Sequence, residues 1–252
     1  VELGLEQKKV LVTGGSKGIG KGIASLFLDE GAEVAIVARS KEGLEQAQKE
    51  LPGVKMIQAD VTKEAARVQA FEKFQQTFGT VDVLVNNAGK SDGRNVEETA
   101  LGEFESAMNM NYLSAVHFSK IAYDVMKQKQ AGSIVNISSI YGREAGGKPS
   151  YNNSKAALIS FTKAFADEAI KNGVRVNSVA PGAILHPNGN WQKRLQENPE
   201  KINQFVEREI PGGRFGTVEE IANVVVFLAS AKASWVNGAS VNVDGGQSRM
   251  NM

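Results

Sequence analysis

Short apolar runs alternate with helical repeats along almost the whole chain. Seven runs have the length and β-branched content of strands: Lys9–Thr13, Glu33–Ala38, Val54–Ala59, Val81–Asn86, Ser133–Ser138, Arg175–Ala180 and Ser240–Val243. Several are apolar at nearly every position rather than at every second one, as expected of strands covered on both faces. Between them, helical patterns run over Gly18–Glu30, Lys41–Leu51, Lys63–Phe78, Leu101–Lys129, Tyr151–Asn172 and Val218–Ala229. Gly31, Gly79 and Gly173 stand where a helix should stop. Alternation sustained over this length predicts an α/β fold, a Rossmann-like, doubly wound parallel sheet of seven strands with helices on both faces.

One stretch departs from the rhythm. Residues 186–216 contain "HPNGN", "NP" and "IPGG" around a charged amphipathic segment. The stretch is too long for an ordinary connection, so a substrate-binding lid is expected there, within a single domain spanning 1–252.

Composition narrows the chemistry by exclusion. The chain has 252 residues, with 29 basic and 28 acidic side chains and a formal net charge of +1. No basic cluster suggests a nucleic-acid or membrane surface. With no cysteine, disulfides, thiolate zinc sites and cysteine nucleophiles are excluded. The two histidines, His117 and His186, rule out a histidine-rich metal site, so no metal is expected. No apolar run approaches the ~20 residues of a membrane span, and "VELGLEQKK" lacks the basic-then-apolar order of a secretion signal. A cytoplasmic protein is the expectation.

The strongest chemical signal lies at the first strand-to-helix turn, "TGGSKGIG" from Thr13 to Gly20. Glycines there let the backbone approach a pyrophosphate, and the helix N-terminus offers free N–H groups and partial positive charge. The lysine-Ser/Thr pair of an ATPase loop is missing, and the spacing is T-G-x-x-x-G-x-G rather than G-x-G-x-x-G.

That turn resembles the short-chain dehydrogenase/reductase family, in its branch of about 250 residues. Further matches follow in family order: "ADV" at Ala59–Val61, "NNAG" at Asn86–Gly89, "MNMNYLS" around Asn111, "IVNISSIYG" at Ile134–Gly142, "YNNSK" at Tyr151–Lys155, "NSVAPGAI" at Asn177–Ile184 and "VNVDGG" at Val241–Gly246. The resemblance covers nearly the whole chain. It implies a nicotinamide dinucleotide held by Gly14, Ser16, Lys17, Gly18, Ile19 and Gly20. It also implies contacts from Ser40, from Asp60 and Val61 at the adenine, from Asn87, Ala88 and Gly89, from Tyr151 and Lys155, and from Pro181, Gly182 and Ile184.

The residues around the second strand bear on which dinucleotide. NAD-binding units place a carboxylate at the end of that strand to grip the ribose hydroxyls. Here that position is Ala38, followed by Arg39. A guanidinium binds a 2′-phosphate with paired hydrogen bonds, and Lys17 can supply a second cation. NADP(H) is therefore expected over NAD(H).

Tyr151 and Lys155 are four residues apart and share one helix face. Ser138 and Ser139 end the fifth strand, where ligands of open α/β sheets bind. A phenol titrating near 10 needs help to exchange a proton at neutral pH, and a nearby ammonium lowers its pKa. Tyr151 is the expected general acid/base. The resemblance selects Ser139 over Ser138 as the hydroxyl that holds the substrate oxygen, with Ser138 left open by a loop one residue short of common. It makes Asn111, rather than Asn109, the fourth catalytic residue.

Two histidines remain. The resemblance expects threonine, a residue that helps hold the carboxamide, where His186 stands; either His186 takes a related role or the loop is arranged differently. His117, on a helical pattern, reads as structural.

The implied activity is reversible hydride transfer between nicotinamide and a carbonyl or secondary alcohol. Reductases of carrier-linked 3-oxoacyl groups and sugar or polyol dehydrogenases, NAD-dependent ones included, match equally, and a non-catalytic nucleotide sensor or scaffold would share the fold. Trp191, Leu195 and Phe205 are candidates to line a pocket or simply to pack the lid. The resemblance also implies a homotetramer, joined through the helices near 101–129 and 151–172 and through the last strand.

Overall fold

In a computed structural model, residues 2–187 and 189–250 are described. The strands are β1 (Lys9–Thr13), β2 (Glu33–Ala38), β3 (Lys55–Gln58), β4 (Val83–Asn86), β5 (Gly132–Ile137), β6 (Val174–Pro181) and β7 (Ser240–Val243). All pairings are parallel, in the order β3-β2-β1-β4-β5-β6-β7. The order reverses between β1 and β4, which opens a crevice above their carboxyl ends.

Alternation along each strand sends side chains to two separate cores. Val10, Val12, Val34, Ile36, Val83 and Val85 pack against α1 (Gly18–Asp29), α2 (Lys41–Glu50) and α9 (Val218–Ala229). Leu11, Ala35, Leu84, Ile134 and Val176 meet α3 (Glu64–Phe78), α5 (Ser114–Met126) and α6 (Pro149–Ala169) on the other face. Double coverage explains the nearly unbroken apolar runs of the central strands.

The expected elements recur with small boundary shifts, and three differences matter. The single helix expected over Leu101–Lys129 is divided into α4 (Leu101–Met108), a π-helical turn at Asn109–Leu113, α5, and a 3-10 turn at Lys127–Lys129. The Tyr151 helix begins two residues earlier, with Pro149 in its first turn, where a missing N–H costs no hydrogen bond. The irregular stretch 186–216 carries two helices, α7 (Asn190–Glu197) and α8 (Pro199–Glu209). The Asn198 side chain accepts from Lys201 N at 3.0 Å and so caps α8.

Candidate active site

Two cavities meet above the carboxyl ends of the strands. The first, of about 610 Å³, runs along the glycine-rich turn from Gly14 to Gly20 and is completed by Arg39, the corner Asn87–Gly89, Lys155 and Pro181–Gly182. The second, of about 1100 Å³, lies under α7 and α8. Ser139 and Tyr151 line both.

The turn is built for close approach. Gly14 has φ +67°, and a Cβ there would fall 2.9 Å from Ala88 Cα, so a side chain would push β4's corner away. Asn87 Nδ2 donates to Thr13 O and Gly14 O at 3.1 and 3.0 Å, and Asn87 N donates to Thr13 Oγ1 at 3.0 Å. These bonds lock the ends of β1 and β4 on either side of the crevice. A Cβ on Gly89 would lie 2.9 Å from Asn111 Oδ1 and 3.3 Å from Lys155 Nζ, so the backbone there fits between the two groups. A smooth trough, walled by glycine and open at a helix N-terminus, fits the diphosphate and ribose of a dinucleotide.

Ser139 and Tyr151 both line the junction of the two cavities, near enough for the Ser139 hydroxyl to act on the phenol, and Ser139 Oγ accepts from Tyr141 N at 3.2 Å. Ser138 is committed elsewhere, donating to Val179 O at 2.9 Å within the sheet. Lys155 is buried; its Nζ donates to Ile137 O at 2.7 Å and stands 5.7 Å from the centroid of the Tyr151 ring. Asn111, in the π turn, exchanges two bonds with Lys90: its Oδ1 accepts from Lys90 N at 2.8 Å and its Nδ2 donates to Lys90 O at 3.0 Å. Asn109 turns the other way, donating to Thr62 O at 3.0 Å.

The electrostatics correct one expectation. From spacing alone, Lys155 is expected to lower the phenol's pKa. In this chain burial instead pushes Tyr151 above its ordinary value, with the Ser139 hydroxyl acting the other way, and burial brings Lys155 down to about 8. Desolvation penalises the charged form of each group.

Not every expected binding residue reaches the cleft. Ser40 caps α2, accepting from Gly43 N at 3.1 Å. Asp60 accepts from Thr62 N and Thr62 Oγ1 at 3.0 and 2.7 Å, which holds its carboxyl below the usual range. Val61 and Ile184 are buried, and Val61 offers its carbonyl to Arg67 at 2.7 Å. Among the lid candidates, Trp191 and Phe205 line the larger cavity, stacked with centroids 4.7 Å apart. Leu195 lies instead at a separate pocket with Phe215. Arg94, Lys148, Asn190 and Lys193 also reach the cavities. Arg94, Lys148 and Asn190 leave no signal in the sequence, because isolated polar residues follow no period.

The chain belongs to the short-chain dehydrogenase/reductase family, as an oxidoreductase of carbonyl and alcohol substrates. The family model described as enoyl-(acyl carrier protein) reductase matches residues 14–248. A 3-oxoacyl-[acyl-carrier-protein] reductase of Thermotoga maritima is 38% identical over 247 residues, 96% of this chain and 98% of the relative. An acetoacetyl-CoA reductase of Shinella zoogloeoides is 34% identical, over 94% of this chain and 97% of the relative. Among solved structures, L-sorbose reductase of Gluconobacter frateurii, complexed with NADPH and L-sorbose, superposes with a TM-score of 0.92 at 30% identity, covering 99% of this chain and 100% of that one. Among the described residues, no helix is long and apolar enough to cross a membrane, and no cluster of three or more acidic or histidine side chains offers a metal site.

Proposed function

We propose that this protein is an NADP(H)-dependent reductase of carbonyl compounds, working reversibly on the matching secondary alcohols, with Tyr151 as general acid/base. The observation that carries the reading is the convergence of Ser139 and Tyr151 at the junction of the two cavities, with Lys155 Nζ 5.7 Å from the Tyr151 ring. When bound, the nicotinamide supplies or accepts the hydride. The residues of the chain do the rest. Ser139 and Tyr151 converge on the point where a carbonyl oxygen would sit. A phenol that burial keeps protonated can donate to that oxygen as negative charge develops on it. Lys155, charged at neutral pH with a pKa of about 8, stabilises that charge from behind the ring and can reach the nicotinamide ribose. Asn111, behind Gly89, fixes the backbone at Lys90 on the far side of Lys155.

NADPH over NADH is supported by Arg39 and Lys17, which line the smaller cavity at the end where β2 lacks a carboxylate. Within the 186–216 segment, α7 and α8 roof the larger cavity and form the substrate lid. Its charge favours a substrate bearing a carboxylate or phosphate: Arg94, Lys148, Arg194 and Lys201 line that cavity against Glu197 alone, in a chain whose basic and acidic totals nearly cancel. A homotetramer is supported by Trp235, which is 99% exposed just before the half-buried edge strand β7.

The test is a panel of oxo acids, their methyl esters, ketoses and acyl thioesters, run with NADPH and NADH on wild type and Tyr151→Phe. Turnover should fall about 10²–10⁴-fold in the variant with NADPH binding retained. Equal rates in the two proteins would leave a nucleotide-binding protein without this chemistry. Faster reduction of the esters than of the acids would refute the anionic substrate alone.

A further inference from the structure

The His186 ring lies between two glycines at the mouth of the glycine-rich turn. A Cβ on Gly18 would fall 2.8, 2.9 and 3.0 Å from its Cε1, Nε2 and Nδ1, and a Cβ on Gly189 would come as close as 2.8 Å. The two glycines thus leave a slot the width of an imidazole. Gly18 opens α1, whose first N–H groups have no partners within the helix. The ring lines the smaller cavity together with Lys17 and Lys193. Its Nδ1 stands 3.0 Å from Pro187 O. A carbonyl only accepts, so Nδ1 carries the proton of that bond and Nε2 is the ring nitrogen left for another partner.

We infer that His186 is a ligand of the dinucleotide's diphosphate, an inference that rests on the cofactor reading above. The family resemblance places a threonine here, beside the carboxamide. Imidazole is longer, and it lies against Gly18 at the helix N-terminus, where phosphate oxygens gather. With Nδ1–H taken up by Pro187 O, Nε2 is left to face a phosphate oxygen, and a proton shared between that nitrogen and the oxygen makes the bond charge-assisted. The contact ties the start of the 186–216 segment to the cofactor. Four residues further on, Asn190 lines both cavities, so the same contact fixes one wall of the substrate cavity.

The experiment measures binding rather than turnover. NADPH and NADH are titrated by nicotinamide fluorescence, and adenosine 2′-phosphate, which has no diphosphate, by calorimetry. The proteins are wild type, His186→Ala and His186→Gln, each with a thermal melt to establish folding. His186→Ala should weaken NADPH about tenfold or more and leave adenosine 2′-phosphate unchanged, and His186→Gln, which keeps a donor, should recover part of the loss. An equal loss for both probes would make the ring a mere support of the cleft and overturn the inference; so would undiminished NADPH binding. If His186→Ala does not fold, His186→Gln carries the comparison, and unequal losses for the two probes are still required. Wild type that binds neither dinucleotide would bring down the cofactor reading, and this inference with it. Tighter NADH would overturn only the preference, and the comparison then runs with NADH against adenosine.

Discussion

Lys155 donates to the carbonyl oxygen of Ile137, the last residue of β5, at 2.7 Å. A buried ammonium is thereby held by a neutral acceptor, with no carboxylate among the causes of its shift. Burial draws its pKa from the ordinary 10.5 to about 8. The folded chain therefore holds this proton less tightly than the unfolded chain. Below about pH 8 the burial penalty is fully present, and between about pH 8 and 10.5 this group makes stability rise with pH. Lys155→Met should abolish turnover yet stabilise the cofactor-free protein at pH 7 by about 1–2 kcal/mol, after the cost of leaving Ile137 O without its donor. Urea unfolding of both proteins at pH 7 and pH 9 checks this. The gain should shrink at pH 9, and a variant less stable than wild type at pH 7 would contradict it.

Ser138 and Ser139 are adjacent but differently engaged, which separates their predicted phenotypes. Ser139→Ala removes the hydroxyl that lines the cavity junction beside Tyr151 and should lower kcat about 10²-fold or more, with NADPH affinity unchanged. Ser138→Ala breaks the 2.9 Å bond to Val179 O and should cost about 1 kcal/mol of stability with little change in kcat. Steady-state kinetics alongside unfolding curves distinguish the two; the reverse pattern would assign the substrate contact to Ser138.

Arg39 supports the cofactor preference. Its backbone oxygen accepts from Gln58 Nε2 at 3.1 Å, which ties the end of β2 to β3, while its side chain lines the smaller cavity. Arg39→Ala should raise the Kd for NADPH about tenfold or more and leave the NADH value within about twofold, because only the 2′-phosphate needs the guanidinium. A parallel loss for both dinucleotides would mean that Arg39 shapes the cleft rather than reads the phosphate.

The strands were legible because the central ones are buried on both faces, which leaves a dense apolar record in the sequence. Tyr151 and Lys155 were legible because four residues on a helix make one face. The π turn at Asn109–Leu113 was not. Its extra backbone residue turns Asn109 and Asn111 to different partners, and no apolar period encodes that shift. The direction of the Tyr151 pKa was misjudged for a related reason: spacing gives the proximity of a charge, whereas desolvation depends on everything packed around it. His186 was visible as an exception to a motif, but its slot between Gly18 and Gly189 arises from residues 168 and 3 positions away, and only the fold brings the first to the ring.

His117 and Arg67 make the last prediction, one of acid sensitivity. Arg67 is buried; its Nε donates to His117 Nδ1 at 2.9 Å and its Nη1 to Val61 O at 2.7 Å. The bond requires an unprotonated Nδ1, so the neutral ring keeps its proton on Nε2. Burial, the Arg67 charge and Lys120 hold His117 below its ordinary value of 6.5, with Glu64 acting the other way. A depressed histidine contributes stability that is present above 6.5 and is lost as pH falls through the lower folded value. Protonation also sets two cations against each other beside Val61, next to Asp60 at the expected adenine site. Unfolding midpoints in urea should therefore fall between pH 7 and pH 5 more steeply for wild type than for His117→Gln, whose amide oxygen can accept from Arg67 at either pH. Identical slopes for the two proteins would show that this pair does not govern the acid limb.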